Sequence, residues 1–190
     1  MSLQLIKDRK ERDLKSAKEL LKTPYRLMSP AQKAAYSAGL RGCYGPSDLN
    51  RVEAAVDYLA GRMRELPEEL SELAADAGME WRPTDLPYDP ADFDLTTKTD
   101  WTPSDMFPAS ERERYIANVR VIRDAMAPEM PLPSTLDGLT LQGANDIEAA
   151  LMEAEANIEA LRERYMDEIG VEIANLKIHS GEVYSGEVTA

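Results

Sequence analysis

Proline placement is the strongest constraint on what this 190-residue chain can fold into. Eight of the twelve prolines fall between Pro83 and Pro133, and none follows Pro133. Proline removes a backbone donor and breaks helix interiors, so long helices must lie outside that zone or between its prolines. The flanking segments carry the required patterns. After a start at Ser47, Leu49, Val52, Val56, Leu59 and Met63 recur at spacings of 3 and 4. After Asn145-Asp146-Ile147-Glu148, a cap-like start, Ile147, Leu151, Ala154, Ile158, Leu161 and Tyr165 recur in the same way. Gly170 is expected to close that helix after roughly 24 residues.

Shorter helices fill the remaining gaps. Asp8 with Glu11 has the form of a capping box, and Leu14, Ala17, Leu20 and Leu21 follow it before Pro24. Ser29-Pro30-Ala31-Gln32 opens a second helix, which Gly39 stops, and Gly42 to Gly45 is a turn around Cys43 and Tyr44. Pro67 is expected to interrupt the Ser47 helix, leaving Glu68 to Ala75 as a separate helix ended by Gly78. Ser110-Glu111-Arg112-Glu113 is a further capping box, followed by Tyr115, Ile116, Val119, Ile122 and Met126 on one face. Pro128, Pro131 and Pro133 then force an extended connection.

Two regions read as non-helical. From Met79 to Ala109 the helical pattern is lost, and Trp81-Arg82-Pro83 and the run from Phe93 to Thr99 look extended. The five-residue repeat Ser180-Gly181-Glu182-Val183-Tyr184, Ser185-Gly186-Glu187-Val188-Thr189 alternates in polarity and is strand-like. The expected fold is mainly α: a bundle of about five helices, with a Pro-rich loop carrying short strands and a strand-like C-terminal tail. Its parts are N-terminal helices over 1–77, the Pro- and aromatic-rich loop over 78–109, a helical hairpin over 110–175 that packs on the first helices in one compact domain, and a tail over 176–190. The helices after Ser47, Ser110 and Asn145 echo one another weakly, as capped amphipathic helices do.

Composition narrows the chemistry. Twenty-two Lys and Arg against 35 Asp and Glu give a net charge of −13, which supplies no broad basic face for nucleic acid and is repelled by anionic membrane surfaces. No run of about 18 apolar residues spans a membrane, and no signal-peptide core follows the start. The single Cys43 closes no intrachain disulfide, and the single His179 builds no His-rich metal site. Neither is expected to be catalytic: Cys43 reads as a small thiol beside a turn, and His179 as a surface residue.

Two groups in the loop deserve weighing. Asp89, Asp92 and Asp94 could hold a loose cation but read better as a solvated acidic loop. The aromatics Trp81, Tyr88, Phe93, Trp101 and Phe107 could bind a carbohydrate but read better as anchors onto the helices. A small carbohydrate-binding or acid/base hydrolytic module using Trp81, Asp92 and Trp101 is the enzymatic alternative. The Ile147-to-Tyr165 stripe could pair between copies as a coiled coil, though packing within the chain is favoured because the other helices need a partner. No catalytic, cofactor or metal residues are expected. Val183, Tyr184 and Val188 are the candidate partner-binding residues, since strand addition to a partner's sheet would give the terminal repeat a use.

Three stretches in order carry a resemblance: Gly42 through Leu59, Lys98-Thr99-Asp100-Trp101-Thr102 with the following Tyr115-to-Ile122 helix, and Gly138-Leu139-Thr140 through Glu148 with the closing repeat. Together with the segment from Ile6 to Arg9, they resemble small helical structural proteins of phage and prophage tail modules. Residues 64–90 are longer than in that pattern, and His179 stands where an aromatic is usual. The resemblance implies a non-enzymatic virion component at the tail or baseplate, partnered by other tail or baseplate proteins or by copies of itself. It also implies residence in the bacterial cytoplasm before assembly.

Overall fold

The structure, a computed structural model, describes residues 3–76, 78–80 and 86–180, apart from the side chains of Ser37 and of residues 176–180. It is mainly helical, with five α-helices among the described residues: α1 (Glu11–Leu21), α2 (Pro30–Ser37), α3 (Pro46–Asp76), α4 (Ala109–Met126) and α5 (Leu141–Ser180). Short 3-10 turns cover Tyr25–Leu27 and Pro90–Phe93. No described helix is long and apolar enough to cross a membrane.

The core is the meeting of the stripes on α3, α4 and α5. Every apolar residue read from the spacing on these three helices is buried in one cluster. The sequence pattern therefore supports packing within the chain for the α5 stripe. Phe93 and Trp101 join that cluster from the loop. Neither α1 nor α2 contributes a buried residue to it; they bury Ala17 and, between them, Met28, and form an arm beside the bundle.

Cross-links fix the helix directions. Along α3 and α5, Arg51 meets Glu148, Arg62 meets Glu159 and Glu69 meets Arg162, so the two run the same way. α4 begins beside Glu53 through Arg114 and ends beside Asn157, which donates to the Met126 carbonyl, so it runs with them. The helical hairpin expected over 110–175 is instead a parallel pair. Residues 127–140 return along α4, with Arg123 bonding the Pro128 and Met130 carbonyls, Arg120 that of Ser134, and Arg112 pairing with Asp137. Fourteen residues of Pro-rich chain reach about 46 Å, ample to retrace an 18-residue helix of about 27 Å.

Helix ends depart from the expected capping residues. Pro67 does not interrupt α3, which is continuous for 31 residues. The stripe explains this: Met63 is followed by Leu66, Leu70 and Ala74, all fully buried. Proline costs about 3 kcal/mol inside a helix, and each leucine buried beyond it returns about 1.5–3 kcal/mol. Gly78, at φ +77°, does end the helix, its N–H bonding the Ala75 carbonyl. Likewise α5 runs through Gly170 because Ile169 and Ile173 keep packing on the core. It also starts before Asn145, where Thr140 Oγ1 accepts the Gly143 N–H at 3.0 Å. α1 is capped two residues later than expected, by Asp13 accepting the Lys10 N–H, and α4 begins after Pro108 with Ser110 exposed inside it. Ser29 and Gln32 form the expected capping box on α2.

Strands are absent from the described residues. The run from Phe93 to Thr99 is a 3-10 end followed by extended chain without a ladder. Trp81-Arg82-Pro83 and the repeat after Ser180 lie outside the described residues.

Candidate interaction surface

The extended run over residues 94–101 lies antiparallel along α3, and helix side chains satisfy its backbone in place of a neighbouring strand. Asn50 brackets Trp101, accepting its N–H at 2.6 Å and donating to its carbonyl at 2.9 Å. One turn on, Glu53 accepts the Lys98 N–H at 3.2 Å and is neutralised by Arg114 at 2.6 Å. Asn118 and Arg114 donate to the Thr96 carbonyl.

The same device recurs on α5, gripping residues 3–9. Asn145 accepts the Arg9 N–H at 3.0 Å and donates to the Arg9 carbonyl at 3.2 Å. One turn on, Glu148 accepts the Ile6 N–H. Asn50-Arg51-Val52-Glu53-Ala54-Ala55-Val56 and Asn145-Asp146-Ile147-Glu148-Ala149-Ala150-Leu151 thus share residues, spacing and task. The weak echo between these two helices has a structural content.

Around Glu148 the second clamp becomes a buried, charge-balanced network. Glu148 is fully buried and binds Arg9 and Arg51, while Asp48, almost as buried, binds the same two arginines and accepts the Gly45 N–H at 3.0 Å. Two cations meet two anions. Burial opposes the charge on both guanidinium groups, but the carboxylates outweigh it and hold their pKa values above the ordinary one. Arg9 also lies over the ring of Tyr44, whose hydroxyl shares a hydrogen bond with that of Tyr115. The network positions residues 3–9 against α3 and α5, and within it the Arg9 Nε is buried without a hydrogen-bond partner among the described residues.

Gly42 closes the joint between arm and bundle. A Cβ there would stand 2.2 Å from the Asp13 carbonyl oxygen, so only glycine allows α1 to approach. Between arm and bundle opens a cleft of about 730 Å³, whose walls include Leu21, Tyr25, Tyr36, Cys43, Asn50 and Trp101. Leu21 and Tyr25 of its wall are 48% and 53% exposed, and with Leu27, 67% exposed, they make residues 21–27 an apolar ridge of the arm. Tyr25 packs on Tyr36 with Lys33 over its ring at 5.5 Å. The surroundings are basic. Residues 1–41 hold ten of the 22 Lys and Arg but four of the 35 Asp and Glu, a net of +6, leaving −19 on the rest.

The residues singled out from sequence are dispersed. Cys43 is half-buried in the cleft wall, and burial raises its thiol pKa, as does the Asp48 charge. Asp89 caps the 3-10 turn through the Ala91 N–H, and Asp94 lies 3.6 Å from Arg64. No described group of His, Cys, Asp and Glu could hold a metal ion. Asp92 and Trp101 do not converge. Asp94, two residues after Asp92, lies opposite Arg64 and Trp101 lies opposite Asn50, at levels of α3 about 21 Å apart. Tyr88, Phe93, Trp101 and Phe107 pack edge to face against neighbouring rings as anchors of the loop. Trp81, Val183, Tyr184 and Val188 lie outside the described residues; His179 is in the last turn of α5.

Three tyrosines resist ionisation. Burial pushes the Tyr88 phenol up to about 12 and those of Tyr44 and Tyr115 well above the ordinary value of about 10. The unfolded chain therefore loses these protons first, so the contribution of these tyrosines should be constant below pH 10 and stability should fall above it. Tyr88 alone should remove about 2 kcal/mol by pH 12. Phenolate absorbance followed beside circular dichroism should show part of the eight tyrosines ionising only as the helices melt. Ionisation of all eight near pH 10 with the fold intact would contradict this burial.

No protein-family model, curated protein or solved structure matches this chain.

Proposed function

We propose that this chain is a non-enzymatic assembly protein of a phage or prophage tail, at the tail or baseplate, that acts through protein surfaces. The observation carrying this reading is the ridge of Leu21, Tyr25 and Leu27 on a basic arm outside the bundle core. Apolar side chains grouped on a surface and rimmed by charge mark an interaction site. The resemblance of residues 42–59, 98–122 and 138–148 to tail-module proteins supplies the setting. Its partners are then other tail or baseplate proteins and copies of itself, with neither nucleic acid nor membrane engaged, and its place is the virion after assembly in the bacterial cytoplasm. The strand-like repeat after Ser180, with Val183, Tyr184 and Val188, is the second contact surface in this reading.

The test is incorporation. In particles purified from the induced host, the chain should be present at a fixed copy number relative to tail proteins. Leu21→Glu with Leu27→Glu should leave the melting temperature within a few degrees, because both side chains are exposed, yet reduce incorporation at least tenfold. Absence of the wild-type chain from particles overturns the reading.

A further inference from the structure

We infer that copies of this chain associate head to tail, residues 181–190 of one copy seating in the cleft between arm and bundle of the next. The inference deepens the proposed assembly role and rests on it. The cleft walls include Leu21, Tyr25, Tyr36 and Trp101, with Lys33 over the Tyr25 ring. Its complement is an acidic segment with aromatic and aliphatic side chains. Residues 181–190 have that composition: Glu182 and Glu187 with no Lys or Arg, beside Val183, Tyr184 and Val188.

Reach decides between the chain's own tail and a neighbour's. The cleft lies at the start of α3, where Arg51, next to Asn50 of its wall, binds Glu148 of α5. Ser180 is 32 residues further along α5, about 48 Å at 1.5 Å per residue. Residues 181–190 span at most about 36 Å fully extended. They cannot return to their own cleft, so the occupant comes from a second copy. The described residues contain no sheet, and hence no sheet edge for strand addition; a cleft contact replaces it. In an extended segment Val183 and Tyr184 point to opposite sides. Tyr184 is the anchor of this contact, since an aromatic ring matches the Tyr25–Tyr36 pair, and in an extended segment Glu182 falls on the same side as Tyr184. Such a contact is heterologous: every copy keeps one cleft and one tail to offer, and assembly continues beyond the dimer.

Two full-chain variants test this by complementation in sedimentation velocity. Wild-type protein should sediment faster as its concentration rises, and less so in high salt. Tyr184→Ser with Val183→Ser removes the tail contact, and Leu21→Ser with Tyr25→Ser removes the cleft contact. Each variant alone should associate at least tenfold more weakly, with unchanged helicity and melting. Mixed in equal amounts, they should form a 1:1 dimer that grows no further, because one intact cleft and one intact tail remain. A wild-type monomer at every concentration, association untouched by either variant, or a mixture that stays monomeric overturns the inference. A monomer that still enters particles sinks head-to-tail assembly and spares the tail role. Head-to-tail association of a chain absent from particles does the reverse.

Discussion

Replacing Glu148 with leucine should destabilise the protein by about 3–5 kcal/mol, the range seen when one member of a buried ion pair is removed. Glu148 is fully buried and accepts from Arg9, Arg51 and the Ile6 N–H. Its loss leaves two guanidinium groups facing Asp48 alone and frees the backbone of residues 3–9 from one of its anchors. Arg9→Met combined with Glu148→Leu should recover more than half of the loss, because Arg51 and Asp48 then remain as a balanced pair. Urea unfolding at neutral pH measures both. A single variant within 1 kcal/mol of wild type, or a double variant worse than the single, would contradict the charge balance.

Asp at position 151 or 56 should abolish the folded state. Leu151 and Val56 are fully buried on facing helices, and no cation among their stripe neighbours could neutralise a carboxylate there. An unpaired buried polar or charged group costs several kcal/mol, added to the lost apolar burial of about 2 kcal/mol, against a typical total of about 5–15 kcal/mol. Leu151→Asp and Val56→Asp should show no cooperative thermal transition by circular dichroism. Wild-type-like melting of either would mean that α3 and α5 do not meet along these stripes.

The stripes were legible in sequence because burial repeats at the helical period, and spacing reveals period directly. Helix ends were less so. Pro67 and Gly170 are local signals, overridden by apolar residues that go on packing against the core beyond them: buried Leu70 and Ala74 in one case, half-buried Ile173 in the other. The extended run after Phe93 was visible as extended, but its alternating pattern does not tell a sheet partner from Asn50, Glu53 and Asn118 acting as substitutes. The clamps themselves had a signal. Glu53 lies four residues after Leu49 and three before Val56, and Glu148 four after Ala144 and three before Leu151. An acid at a core position must have a cation beside it, but the partners, Arg114 and Arg9, lie 61 and 139 residues away, beyond any local pattern.

Three long helices pointing the same way make the molecule an electrical rod. In an up-and-down bundle the peptide dipoles of neighbouring helices cancel, whereas here α3, α4 and α5 each place about half a positive charge at the arm end and half a negative charge at the other. Asp48, in the first turn of α3, and Glu148, in the second turn of α5, lie at that pole already balanced by Arg9 and Arg51. Residues 1–41 add a net +6 at that end, and acidic side chains of the later α5 turns, including Asp167, Glu168 and Glu172, lie at the other. Backbone and side chains thus polarise the protein along one axis, and two molecules approaching in solution attract when aligned end on and repel when aligned side by side in parallel.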